Sequence, residues 1–125
     1  MEKVLEIIKR ELDALGIDYY YMINTASTVK YPYVTGEYYE SEYSYEDNSN
    51  VAEMLLEAWN RDSDVELVKL NDLIKNHFRN LIVCEEGLTV HISYANSFPV
   101  RTGDYKLKKR EIHLDINYWE GEQNA

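Results

Sequence analysis

The chain has 125 residues, enough to bury one substantial core and too few for a second fold. Its composition, 45% hydrophobic and 29% charged with two prolines and five glycines, excludes a low-complexity or disordered polymer and indicates one folded domain over 1–125. A formal charge of −10 argues against a tight grip on DNA or RNA, which needs cations to displace counterions from phosphates.

Residues 2–15 place Val4, Leu5, Ile8, Leu12 and Leu15 at helical spacing, with Gly16 where a C-terminal cap belongs. The acids in this stretch set it apart from a signal peptide's apolar block, so the expected location is the cytoplasm. "IDYYYMI" is aromatic and β-branched and reads as a strand. "NTASTVKYP" is a polar loop ending at a proline that biases Tyr31 toward extended backbone. From Tyr33 a second strand sets Tyr33, Thr35, Glu37 and Tyr39 on one face, with Val34, Gly36, Tyr38 and Glu40 on the other. "DNSN" is turn chemistry. The next segment, "VAEMLLEAWNRDS", fits either a helix capped near Asn48, Ser49 or Asn50 or a strand with Ala52, Met54, Leu56 and Ala58 on one face, and propensity slightly favours the helix.

A second helix begins after Ser63, with Asp64 and Glu66 in its first turn and Val65, Val68, Leu73, Ile74 and Phe78 as its apolar side. A short apolar link containing Cys84 follows. As the single cysteine it can form no internal disulfide, and it reads as a small core hydrophobe. "LTVHISYA" alternates as a half-buried strand. "NSFPVRTGD" is a loop, and the final strand buries Ile112, Leu114, Ile116 and Tyr118 while exposing His113, Asp115 and Asn117. The predicted fold is α+β: an antiparallel sheet of four to five strands with two helices packed on one face, in the order α-β-β-β-α-β-β.

The motifs of phosphate loops, serine hydrolases, zinc proteases and EF-hands are absent from the sequence. If the last two strands form a hairpin centred near Thr102, His91 and His113 face each other with Asp115 two residues along, a donor set that suits zinc; the ordinary alternative is a pair of solvent-facing strand histidines. Glu85 and Glu86 are adjacent carboxylates on a turn, where neighbours diverge rather than converge on a substrate. Trp59 and Trp119 sit beside charges, as sheet-edge or core-lid residues do. Nine of the twelve tyrosines precede residue 46, and an exposed aromatic edge of this kind indicates protein contact.

The element order, the strand opening at Pro32, Tyr33 and Val34, the helix "VKLNDLIKNHF" and the closing "KKREIHLDINYW" resemble the tail terminator and head-tail joining proteins of long-tailed phages over most of the chain. The resemblance implies a structural subunit of a phage or prophage, without an enzymatic step or cofactor. Such a subunit assembles in the host cytoplasm as a hexameric ring, caps the tail tube, meets the head connector and resides in the virion neck or tail. It also implies that 51–60 is a strand, against local propensity. DNA would pass through such a ring, and an acidic lumen repels phosphates rather than gripping them.

The charge separation supplies candidate contacts with a neighbouring subunit or the tail. On the acidic side these are Tyr39, Glu42, Tyr43, Tyr45, Glu46 and Asp47, and on the basic side Lys106, Lys108, Lys109 and Arg110. Two rival readings use the same residues differently: an acidic inhibitor or immunity protein that binds a basic partner, and a small metal-dependent enzyme built on His91, His113 and Asp115.

Overall fold

A computed structural model describes residues 1–44 and 48–121. Its elements are α1 (Glu2–Ala14), β1 (Tyr19–Tyr21), β2 (Tyr33–Ser44), β3 (Asn50–Arg61), α2 (Val65–Phe78), β4 (Leu81–Glu85), β5 (Leu88–Val100) and β6 (Leu107–Glu120). The six strands form one mixed sheet in the order β1-β2-β3-β6-β5-β4, curled into a half-barrel.

One face of the sheet carries the core. The two-residue period of a strand directs Ala52, Met54, Leu56 and Ala58 of β3 and Ile112, Leu114, Ile116 and Tyr118 of β6 to the same side, where all are buried. Val90 and Ile92 of β5 and Val34 of β2 extend this layer. α1 closes it with Val4, Ile7, Ile8 and Leu12, α2 with Leu67, Ile74 and Phe78, and all belong to one cluster. The helices touch each other through His77 Nε2 and Glu11 Oε1 at 2.7 Å. α1 ends where Gly16 takes φ +77, the left-handed conformation that Cβ disfavours.

Several expectations are corrected. The sheet has six strands rather than four or five, and the order is α-β-β-β-α-β-β-β. The apolar link at 81–85 is itself a strand, β4, closed onto β5 by the two-residue turn Glu86-Gly87. The sheet is mixed rather than antiparallel, because β1 runs parallel to β2. An eleven-residue loop, 22–32, returns the chain to the end from which β1 began, so the two strands share a direction. Cys84 is exposed rather than a core residue. In α2 the buried side is Leu67, Asn71, Ile74 and Phe78, while Val65, Val68 and Leu73 are exposed. Residues 50–61 form a strand whose neighbours on both sides satisfy its backbone, a pairing gain that local helix propensity does not contain.

Candidate functional site: the open sheet face

The helices cover one face of the sheet, and the other face is arranged by strand register into rows of directly opposed side chains. The first row is Tyr33, Trp59, Lys109 and Val100 across β2, β3, β6 and β5. Below it lie Thr35, Glu57, Glu111 and Phe98; then Glu37, Leu55, His113 and Asn96; then Tyr39, Glu53, Asp115 and Ser93. A register shift between Tyr94 and Asn96 keeps Phe98 on this face after β5 has contributed Val90 and Ile92 to the core.

The first row is an aromatic ridge with its own cations. The Tyr33 and Trp59 rings stack at 6.3 Å, and Tyr20 meets Tyr33 edge-on at the same separation. The Lys109 ammonium lies 4.8 Å from the Trp59 ring centre and is ion-paired with Glu57. At the strand end, the Arg61 guanidinium lies 5.5 Å from the Tyr31 ring. Burial raises the Tyr33 phenol pKa, with the charges of Tyr31 and Glu57 adding to it.

The rows beneath are acidic. Glu57 directly opposes Glu111, and Glu53 directly opposes Asp115. Like charges in opposed positions destabilise a sheet, so both pairs are costly by construction. Lys109 relieves the first through Glu57; among the described residues no cation pairs with Glu53 or Asp115. Tyr39 reports the field: its pKa is raised first by the charge of Glu37, then by desolvation and by Glu57 and Glu111. Between the two acidic pairs, His113 stacks on Phe98 at 5.7 Å with its Nε2 buried and unpaired; Glu111 Oε2, at 3.6 Å, is beyond hydrogen-bond reach.

The sheet ends in β1 and β4, each paired on one side alone among the described residues. Val34 N–H donates to the Asp18 carbonyl and Met22 N–H to the Gly36 carbonyl, so the backbone of Tyr19 and Tyr21 faces away from β2. At the other edge, the two-residue turn makes Glu85 and Leu88 a hydrogen-bonded pair, and alternation then points the backbone of Ile82 and Cys84 outward. Tyr21, Met22, Ile23 and Ile82 are exposed along these edges.

The residues expected to matter are distributed unevenly over these features. His91 opposes Asn117 and binds Asn80 through Nε2 at 2.6 Å, whereas His113 opposes Asn96. The two histidines are therefore separated by four residues along β6, about 13 Å of strand, and do not meet as metal ligands. The pairing expected about Thr102 fails because the turn lies further along, over 101–106: Val100 pairs with Lys109, and the ladder that follows sets His113 opposite Asn96. No group of three or more His, Cys, Asp or Glu side chains converges among the described residues. Glu85 accepts from Arg10 at 2.6 Å, on an element remote from the acidic rows.

The basic run is split by strand alternation. Lys109 is on the open face, Lys108 and Arg110 are on the helix-covered side, and Lys106 is exposed in the turn before β6. Arg110 donates to Ser97 Oγ at 3.1 and 3.2 Å. Tyr39 stands on the open face, 54% exposed. Glu42 and Tyr43 belong to β2, and Tyr45, Glu46 and Asp47 lie outside the described residues. Sequence reasoning missed Glu53, Glu57, Glu111 and Asp115 as a group; their alternation was visible, but their opposition required the β3–β6 register.

These arrangements suit recognition by contact: rigid aromatics, carboxylates on ordered strands, and unpaired strand edges. The chain matches no protein-family model and no curated protein.

Proposed function

We propose that the chain is a structural assembly subunit of the tail terminator or head-tail joining kind, acting as a ring of like copies that caps a phage tail tube and meets the head connector. The observation that carries this reading is the pair of unlike sheet edges. Following the ladder from β1 to β4 through one parallel and four antiparallel pairings, the two edge strands run in the same direction. A copy rotated about an axis along the strands sets β4 beside β1 in the same sense, which is the heterologous relationship a cyclic ring requires. Neither edge carries the lysine or proline that commonly blocks strand addition. Six-fold rings in electron micrographs of the purified protein, or tubes capped at fixed length when it is added to growing tails, are the expected results. A protein that neither self-associates at high concentration nor caps tubes overturns the reading.

The acidic inhibitor or immunity reading draws on the opposed carboxylates of the open face. It is distinguished by a strict monomer that forms a one-to-one complex with a basic protein.

A further inference from the structure

We propose that the open face is the docking surface for a different protein, one that presents arginine or lysine side chains interspersed with apolar ones. Glu53, Glu111 and Asp115 take its cations, while Leu55, Phe98 and Tyr39 take its apolar positions. The inference is independent of the ring. It concerns the sheet's face rather than its edges, and it identifies the chemistry of a non-self partner.

Charge complementarity carries the argument. Five carboxylates stand on this face, at Glu37, Glu53, Glu57, Glu111 and Asp115, against the cations Lys109 and Arg61. Both cations are already engaged, Lys109 by Glu57 and Trp59, Arg61 by the Tyr31 ring. The Glu53–Asp115 opposition is therefore a repulsion left standing in the free protein, at two exposed positions where a neutral side chain fits equally well. An incoming cation placed between the two carboxylates removes that repulsion and gains two charge-assisted hydrogen bonds. The apolar component lies alongside: Phe98 is 44% exposed and Tyr39 54%, with partly covered Leu55 between the acidic pairs. The aromatic first row, fixed by its own stacking, bounds the surface with Trp and Tyr, residue types enriched at binding hot spots. A second copy set face to face is a poorer occupant, because it brings the same five carboxylates to the surface.

The test uses the full chain and a synthetic decapeptide alternating arginine and leucine, with a glutamate and leucine peptide as the charge-inverted control. Binding is followed by titration calorimetry and mapped by amide chemical shifts. The arginine peptide is expected to bind and to shift amides of β3, β6 and the second half of β5, while the control does not bind. Glu53→Gln with Asp115→Asn weakens binding by about tenfold or more and raises the melting temperature, since it removes both partner and repulsion. Glu2→Gln with Glu6→Gln, the same charge change on exposed α1 positions, leaves affinity within about twofold, as expected for remote charges screened by salt. Absence of peptide binding, shifts confined to the helices, equal binding of the control peptide, or equal weakening by the α1 substitutions each overturns the proposal. Self-association that disappears in the Glu53/Asp115 variant also overturns it, assigning the face to a second copy. Ring formation is read separately in the same variant and should persist, so failure here is distinct from failure of the ring.

Discussion

Lys109 is held between Glu57 and the Trp59 ring, its ammonium 4.8 Å from the ring centre, with both charged side chains largely covered. It is the cation that makes the opposed Glu57–Glu111 pair tolerable. Lys109→Met keeps the stem and removes the charge, leaving two facing carboxylates in a partly desolvated place. The expected loss is about 1–3 kcal/mol, below the cost of breaking a fully buried pair because these groups retain some solvent. Urea unfolding measures it, and an unchanged midpoint means the pair is only decorative.

Gly36 is required by close approach. A Cβ built there lies 2.7 Å from Met54 Cε, 2.7 Å from the Tyr19 hydroxyl oxygen and 2.8 Å from the Tyr19 ring. The methionine methyl can swing aside; the tyrosine ring, buried against β2, cannot. Gly36→Ala is expected to cost about 1–3 kcal/mol by overpacking, and adding Tyr19→Phe should recover part of it. A double-mutant cycle on thermal or urea unfolding gives the answer, and additivity of the two changes rules out the contact as the cause.

How far the sequence foretold this molecule depends on whether a feature is local. Alternation in 33–40 and 112–118 assigns each side chain to its observed face, because strand period is a property of consecutive residues. The glycine cap after α1 was legible for the same reason. β4 was not: four apolar residues and a glutamate after a helix have no distinguishing period, and only pairing with β5 makes them a strand. Nor were the burial of Leu67 in place of Val65 and the opposition of Glu53 to Asp115, each set by which element lies across from it. The histidine pairing failed on the position of the β5–β6 turn, which pairs Val100 with Lys109 and so sets His113 opposite Asn96 and His91 opposite Asn117.

Tyr118 gives the fold an alkaline limit. Burial pushes its pKa up to about 12, helped by the hydrogen bond its hydroxyl donates to Glu40 Oε1 at 2.9 Å and by the charges of Glu40 and Glu120. Its ordinary value is 10.0, so between about pH 10 and 12 the unfolded chain releases a proton that the folded chain retains. The unfolded state then binds fewer protons, and stability falls as pH rises through this window, by roughly 2–3 kcal/mol for this group. Tyr19, raised in the same direction by burial, adds to the slope. Tyr118→Phe should flatten the profile between pH 10 and 12 in urea unfolding. An equally steep profile assigns the alkaline loss to other groups.

The split of the basic run separates assembly from folding. Arg101 and Lys106 are exposed around the turn before β6, whereas Lys109 and Arg110 are engaged with Glu57 and Ser97. If cations at this turn help hold neighbouring copies together, Arg101→Glu with Lys106→Glu weakens ring formation while leaving stability within about 0.5 kcal/mol, as for surface positions generally. Lys109→Glu with Arg110→Glu places new acids beside Glu57 and Glu111 and takes a donor from Ser97, so it is expected to cost about 2 kcal/mol or more. A reversal of all the basic residues together would confuse the two effects. Sedimentation of the ring and urea unfolding on both double variants resolve them. Rings undisturbed by the Arg101/Lys106 reversal remove electrostatic pairing at this turn from the assembly, leaving the β1 and β4 edges to hold it.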